Sequence, residues 1–155
     1  MDFEIGLFAH IIVWTEYQAD VLAKGWRPTL YERLREIIHD TGCTCLALNG
    51  TANHVHLLIS FTVDTVMDTL IEDAKKKSAE WINAQDSSSP DFRWADGYAA
   101  FSVSESDLPE LKTYISRQSR HHEVVSFRDE LMGNLTDHEI EFDEQELFPE
   151  HPAGA

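Results

Sequence analysis

The stretch Asn53-His54-Val55-His56-Leu57-Leu58-Ile59-Ser60 decides the fold that we expect for this chain. Its residues alternate as in a β-strand, where successive side chains point to opposite faces of the sheet. Two imidazoles on one face of a rigid strand can hold a divalent cation and leave positions open for substrate. The spacing by itself also fits an ordinary polar sheet face. One face carries His54 and His56, and the other carries an apolar row: Val55, Leu57, Ile59 and Phe61.

A second polar cluster lies in the segment Tyr114-Ile115-Ser116-Arg117-Gln118-Ser119-Arg120-His121-His122. The apolar spacing before it predicts a helix. Tyr114 and Gln118 are four residues apart, so a helix places them on one face. At 100° per residue His121 falls within about 60° of both. A helix face this polar indicates a functional site.

The first half of the chain predicts a central strand, a helix and a hairpin. Leu7 to Thr15 is a dense apolar run that predicts a buried strand, in which we expect His10 to be a core residue. Pro28 suits the first turn of a helix that stops at Gly42. The strands Cys43 to Leu48 and His54 to Phe61 are joined through Asn49-Gly50, a strong turn signal.

The second half predicts two longer helices, one strand and a short last helix. Asp107 is the expected N-cap of the tyrosine helix, and Ser126 that of the last helix. The resulting order β-α-β-β-α-β-α indicates an α+β fold, with a ferredoxin-like antiparallel sheet and helices packed on it. The other predicted elements are a helix from Val63 to Asn83, a polar loop at Gln85 to Pro90, a strand from Tyr98 to Val103 and a helix around Arg128 to Leu135.

The length of 155 residues predicts a single domain, which we place at 1–148 with a disordered tail at 149–155. No apolar run reaches the roughly 18 residues of a membrane span, and Met1-Asp2-Phe3-Glu4 lacks the basic start of a secretion signal. We therefore expect a cytoplasmic protein without a membrane partner. Cys43 and Cys45 are expected to be buried, reduced thiols.

The net charge of −16, from 12 basic and 28 acidic residues, argues against nucleic acid as a partner. Its distribution weakens this argument. No Lys or Arg follows Arg128, whereas nine acidic residues do, so residues 1–128 hold 12 basic and 19 acidic residues, a net of −7. Lys75-Lys76-Lys77 is the basic cluster of its helix and reads either as a solvated turn or as a phosphate contact.

The chain resembles the single-tyrosine HUH transposases of bacterial insertion sequences, the insertion-sequence-200-like group often called TnpA, and its palindrome-associated relatives. The resemblance extends from about Gly6 to Phe148. Several independent motifs occur in the family's order. They are Asn53 to Leu58, Trp94 to Ser104, Tyr114 to Gln118, His121-His122, Ser126-Phe127 and Ile140 to Glu144.

This resemblance implies an HUH endonuclease or transposase fold and a DNA transposase that cuts and rejoins single-stranded DNA at hairpin ends. His54, His56 and Gln118 would bind one Mg²⁺ or Mn²⁺. Tyr114 would attack the phosphate and form a 5′-phosphotyrosine intermediate. The protein would act as a homodimer, paired through the strand Tyr98 to Val103, with each site built from both chains. For DNA contacts we expect a local basic surface drawn from Lys75, Lys76, Lys77, Arg117 and Arg120.

Two other functions remain open at this point. A domesticated, non-catalytic protein that binds hairpin DNA would keep the fold, and the acidic charge favours it. A small metal hydrolase would use only His54 and His56. Against the hydrolase, no Glu follows His56 within a few positions, and Tyr114 and Gln118 would have no role.

Overall fold

The computed structural model describes residues 5–85 and 91–152. Residues 1–4, residues 86–90 of the loop predicted at Gln85 to Pro90, and residues 153–155 of the predicted tail lie outside these ranges. Gln85 itself is the last residue of a helix. The strands are β1 Phe8–Trp14, β2 Thr44–Gly50, β3 His54–Ser60 and β4 Ala99–Val103. The α-helices are α1 Arg27–His39, α2 Met67–Gln85, α3 Leu108–Ser116, α4 Gln118–His121, α5 Phe127–Asp137 and α6 Glu144–Leu147.

The four strands form one antiparallel sheet in the order β2-β3-β1-β4. β1 is central because its run of branched apolar residues is buried on both faces. The register sets Ile12 opposite His56 and Trp14 opposite His54. This is the α+β fold with helices on an antiparallel sheet that the sequence predicts.

One sheet face carries α1 and α2 and the larger core. The apolar row of β3 packs there, as predicted, and Phe61 joins it as a partly buried residue. Fully burying side chains of this size contributes about 1.5–3 kcal/mol each. Among the contributors are Val55, Leu57, Ile59, Leu30, Ile38 and Ile71.

The opposite face is covered by the helices that follow β4. Phe127, Leu131 and Leu135 recur along α5 at helical spacing and pack on Ile12 and Phe101 in a smaller core. Both histidines of β3 lie on this face. The sheet therefore separates an apolar layer from a layer that carries the polar site.

The β2–β3 hairpin is confirmed, but its turn is displaced from the predicted position. Asn49 and Gly50 still belong to β2, and residues 51–53 make the turn. A Cβ at Gly50 would lie 2.0 Å from the His54 carbonyl oxygen, so glycine is needed for close approach of the strands. Pairing of β2 with β3 thus extends to Gly50, which lies opposite Val55 between the two histidines.

Three further predictions can be compared with the structure. Cys43 and Cys45 are buried and free, as expected. The short helix α6 lies just before the predicted tail, and residues 149–152 of that tail form no helix or strand. No helix in the described ranges is long and apolar enough to cross a membrane.

Candidate active site

His54 and His56 project from β3 into the layer between the sheet and α3 to α5. Both side chains are fully buried. Their ring centroids lie 5.0 Å apart in an edge-to-face arrangement. Their position inside the protein removes the interpretation as an ordinary solvated sheet face, which the spacing alone left open.

Glu130 of α5 lies at the centre of this layer. Its Oε1 is 2.9 Å from His56 Nε2, 3.1 Å from His122 Nε2 and 3.6 Å from His54 Nε2. The ligand atoms of these four residues all lie within 4.8 Å of one another. His121 Nε2 lies 3.2 Å from the other oxygen, Oε2. A buried carboxylate is costly unless it is compensated, and here four imidazole nitrogens surround it.

The Nδ1 atoms of His54 and His122, on the other side of each ring from Nε2, are hydrogen-bonded to oxygen acceptors. The Nδ1–H of His54 donates to Asn53 Oδ1 at 2.8 Å, and the Nδ1–H of His122 donates to the Val125 carbonyl at 2.6 Å. A proton fixed on Nδ1 leaves a lone pair on Nε2 of a neutral imidazole. Both lone pairs point toward Gln118 Oε1, which lies 3.0 Å from each Nε2 atom.

His56 has the same type of support from β1. His56 Nδ1 lies 2.7 Å from His10 Nε2, and the two rings stack at 5.0 Å. His10 is buried, as the sequence predicts, and its environment is polar on the side of His56. With the Nδ1–H of His56 donating to His10, the Nε2 atom of His56 also offers a lone pair.

These contacts fit a divalent cation. Burial, followed by the proximity of His56, lowers the pKa of His54 to about 3, so that its imidazole is neutral at physiological pH. Lone pairs of nitrogen and oxygen then face each other at 2.9 to 3.1 Å. Neighbouring ligands around an octahedral ion stand about 3.0 Å apart when each bond is about 2.1 Å long. These lone pairs repel one another when the site holds no cation, whereas a divalent cation at this centre would attract all of them.

Tyr114 reaches the same centre from α3. Its hydroxyl donates a hydrogen bond to Glu130 Oε2, and its ring lies edge-to-face with His56 at 5.9 Å. Burial, followed by the hydrogen bond to Glu130 and the charge of that carboxylate, raises the pKa of Tyr114 well above its ordinary value. The phenol is therefore protonated in this arrangement and aimed at the cluster.

Gln118 follows Tyr114 across an interruption of the helix. α3 ends at Ser116, Arg117 adopts φ −103° and ψ 19°, and α4 starts at Gln118. The predicted continuous helix is thus wrong at Arg117, although Tyr114 and Gln118 still face the same centre. Asn49 of β2 holds the end of α3 through its Nδ2, which donates to the Ile115 carbonyl at 3.1 Å and the Ser116 carbonyl at 3.3 Å.

The charge of Glu130 is stabilised by its neighbours. Burial by itself would raise the pKa of this carboxyl. Without an ion, His122 and His56 can carry a proton on Nε2 and donate to Glu130, and these hydrogen bonds, with that from Tyr114, outweigh burial and lower the pKa far below the ordinary value. A carboxylate that remains ionised inside the protein is a strong ligand for a cation and a strong acceptor for a phenol.

A cleft of about 320 Å³ opens beside Tyr114 between β4, α3 and α5. His10 and Tyr114 lie at its inner end, and Asp107 and Glu110 lie at its rim. The Tyr114 side chain is therefore within reach of a molecule that enters from the β4 edge. Asn134, on α5, adds an amide to the lining of the same cleft.

The five basic residues predicted to contact DNA have different surroundings. Lys75 is 8% exposed and donates to the carbonyls of Ala95 at 3.0 Å and Gly97 at 2.7 Å. Lys77 pairs with Asp73 at 2.9 Å. Lys76, Arg117 and Arg120 are exposed, and the two arginines flank Gln118. A DNA contact by any of the five stays a prediction.

Sequence reasoning missed Glu130 and assigned no role to His122. Glu130 follows His56 by 74 positions, so no local spacing connects them. One signal was present: Glu130 lies three residues after Phe127, which places an acidic residue on the apolar stripe of α5. An acid on a face that packs against the sheet needs a partner there.

Comparisons with known proteins agree with this fold. A family model described as "Transposase IS200 like" matches residues 5–118. The crystal structure of a proposed transposase from Deinococcus radiodurans R1 is 25% identical, with a TM-score of 0.60 over 76% of this chain and 95% of that one. A comparison with curated proteins found no match.

A second solved structure supports the fold at lower identity. It is a REP-associated tyrosine transposase bound to a REP hairpin, 14% identical, with a TM-score of 0.62 over 81% of this chain and 74% of that one. The family match spans most of the chain and includes the histidines of β3, Tyr114 and Gln118. The chain therefore belongs to the IS200-like transposase family.

Proposed function

We propose that this transposase cleaves and rejoins single-stranded DNA at hairpin ends, with Tyr114 as nucleophile and a Mg²⁺ or Mn²⁺ ion held by His54, His56 and Gln118. The observation that carries the proposal is the contact of the Tyr114 hydroxyl with Glu130, whose other oxygen lies against the histidine cluster. Nucleophile and ligand set thus converge on one point.

In the proposed reaction the Tyr114 oxygen forms a bond to the scissile phosphorus, and the bond from phosphorus to the 3′-oxygen breaks. The products are a 5′-phosphotyrosine and a strand with a free 3′-hydroxyl. Glu130 accepts the hydrogen bond of the phenol and orients its oxygen, whereas the departing 3′-oxygen takes up the proton that the phenol gives up. A divalent ion held by these residues would neutralise charge on the phosphate.

Rejoining reverses the same steps. A free 3′-hydroxyl attacks the phosphotyrosine, the phosphorus–Tyr114 bond breaks, and the phenolic oxygen recovers a proton. No external energy source is needed because the covalent intermediate conserves the bond energy.

Hairpin DNA and a homodimer belong to the same proposal. The relative solved with a REP hairpin supports hairpin DNA as the substrate class. Within the described residues β4 pairs with β1 alone, so its outer edge offers unpaired backbone groups to a second copy. Leu7, Val63 and Val66 are exposed apolar residues of the same chain.

Incubation of the protein with labelled single-stranded hairpins and Mn²⁺ or Mg²⁺ tests the proposal. We expect a covalent protein–DNA adduct that resists denaturing electrophoresis and disappears in Tyr114→Phe, which loses only the phenolic oxygen. Tyr98→Phe is the matched control because it removes the same atom from the opposite side of the sheet, where that hydroxyl donates to Asp68. An adduct that persists in Tyr114→Phe would remove Tyr114 from its role.

The net charge of −16 favours a second function, a domesticated protein that binds hairpins without cutting them. The same assay separates the two functions. If the protein binds the labelled hairpin but forms no covalent adduct with any divalent ion tested, the non-catalytic binding function is favoured.

A further inference from the structure

The ligand set of the proposed ion is larger than His54, His56 and Gln118. His122 Nε2 and Glu130 Oε1 lie within the same 4.8 Å cluster as the two histidines of β3. Both residues follow position 118, where the family match ends. Their role must therefore be inferred from the contacts of this chain.

Resting on the proposed function, we propose that Glu130 and His122 are additional ligands of the same ion and that the resulting site binds Mn²⁺ in preference to Mg²⁺. Three imidazole nitrogens, one carboxylate oxygen and the Gln118 amide oxygen would surround the ion. The side chain of Glu130 would join the ion, through Oε1, to the hydroxyl of Tyr114, through Oε2.

The first argument is the orientation of His122. Its Nδ1–H donates to the Val125 carbonyl at 2.6 Å, which directs the Nε2 lone pair to Glu130 Oε1 at 3.1 Å and Gln118 Oε1 at 3.0 Å. Both of these atoms are acceptors. Metal-bound histidines commonly donate their other ring N–H to a carbonyl or carboxylate in this way. An imidazolium–carboxylate pair without an ion is the competing explanation, and metal titration distinguishes the two.

The second argument is the chemistry of the ligands. Imidazole nitrogen suits transition metals, whereas Mg²⁺ prefers oxygen ligands and keeps several of its waters. Four of the five side chains, namely His54, His56, Gln118 and Glu130, are nearly or fully buried. A buried ligand set with three imidazole nitrogens therefore disfavours Mg²⁺, because it offers nitrogen in place of oxygen and because it excludes the waters that Mg²⁺ keeps.

The third argument is charge. Without Glu130 the proposed ligands are all neutral, and a divalent cation in a buried site needs an anionic partner. Glu130 supplies one negative charge at 6% exposure. It also accepts the hydrogen bond of the Tyr114 phenol, which would place that phenol beside the ion.

The test is a calorimetric titration of metal-stripped protein with Mn²⁺ and with Mg²⁺, with the electron paramagnetic resonance signal of bound Mn²⁺ as a second readout. We expect Mn²⁺ to bind at least tenfold more tightly than Mg²⁺. Glu130→Gln should weaken Mn²⁺ binding by at least tenfold. Asp129→Asn, which removes the same charge from an exposed neighbour on α5, should stay within twofold of the unaltered protein.

His54→Ala separates this inference from the proposed function. If His54→Ala loses Mn²⁺ and Glu130→Gln keeps it, Glu130 is not a ligand and the smaller set remains. If the unaltered protein binds no Mn²⁺, the metal part of the proposed function fails as well. Equal affinity for Mg²⁺ and Mn²⁺ would overturn the selectivity.

Circular dichroism of the metal-free variants controls for folding. If Glu130→Gln does not fold, His122→Gln replaces it as the test variant and should weaken Mn²⁺ binding by at least tenfold. The substitution His138→Gln, at an exposed position, is its control. A His122→Gln protein that is folded and binds Mn²⁺ like the unaltered chain would then contradict the enlarged ligand set.

Discussion

At the scale of single residues, two buried neutral histidines couple the stability of the protein to pH. Burial, followed by the proximity of His56, lowers the pKa of both His10 and His54 to about 3, against an ordinary value of 6.5. Between these values the unfolded chain binds protons that the folded chain does not bind. The free energy of unfolding must therefore fall as the pH falls through this window.

We predict that metal-free protein loses roughly 2 kcal/mol of stability for each of the two histidines between pH 6.5 and 5. Urea unfolding at both pH values, in the presence of a chelator, measures this loss. His10→Gln should remove about half of the difference, whereas His151→Gln, at an exposed position, should not change it. An equal pH dependence in all three proteins would contradict the assignment.

The residue scale also explains which site residues could be found from the sequence. His54, His56, Tyr114 and Gln118 belong to short periodic patterns, so local geometry places each pair on one face. Glu130 acts through contacts with residues that are distant in sequence, and only the packing of α5 on the sheet creates them. The position of Glu130 on the apolar face of α5 indicates that it contacts a polar group inside the protein, but it does not identify that group.

At the scale of elements, the position of α3 depends on β2. Asn49 donates to two carbonyls at the C-terminal end of α3, where the helix would otherwise leave them unpaired. These bonds connect the edge strand to the turn between Tyr114 and Gln118. The hairpin pattern suggested Asn49 as a turn residue, but the strand continues past it because pairing with β3 extends to Gly50.

We predict that Asn49→Ala lowers the stability by about 1 kcal/mol and slows adduct formation by about tenfold, because the end of α3 is no longer held. Asn83→Ala is the matched control. Asn83 also makes two hydrogen bonds to backbone, at Phe92, but on the opposite side of the sheet. It should reduce stability by a similar amount and leave the rate of adduct formation unchanged. Equal rates in the two variants would contradict the positioning role of Asn49.

The elements that local rules specify were predicted well. Alternation in β3, the apolar run of β1, Pro28 at the start of α1 and the Ser126 cap of α5 all have counterparts in the structure. The break at Arg117 was not predicted because the residues around it carry no Gly or Pro. Its cause is tertiary, since Asn49 and the site hold the two sides of the break.

At the scale of the whole molecule, the single chain brings its own tyrosine to its own histidines. The sequence led us to expect sites shared between two chains, but Tyr114 contacts Glu130, which contacts His56, within one copy. A homodimer paired along β4 is compatible with this arrangement. Each of its copies would carry a complete site.

We therefore predict that mixing His54→Ala with Tyr114→Phe protein does not restore adduct formation after subunit exchange. In an exchanged dimer neither chain has both its histidine and its tyrosine. Analytical ultracentrifugation must first establish the dimer, and a monomer at micromolar concentration would contradict the homodimer. Recovery to a sizeable fraction of the unaltered activity would mean that the tyrosine helix reaches the neighbouring copy.

The contact between His10 and His56 has a consequence for which amino-acid substitutions this site can accept during evolution. His10 contacts His56, His56 contacts Glu130, and Glu130 accepts a hydrogen bond from Tyr114. These four residues, from four different elements, therefore form one continuous series of polar contacts. A single replacement leaves a dry polar atom at the neighbouring member of the series. His10, which lies on β1 beneath the cluster, is thus under the same constraint as Tyr114, and viable variants should arise by paired replacements along the series.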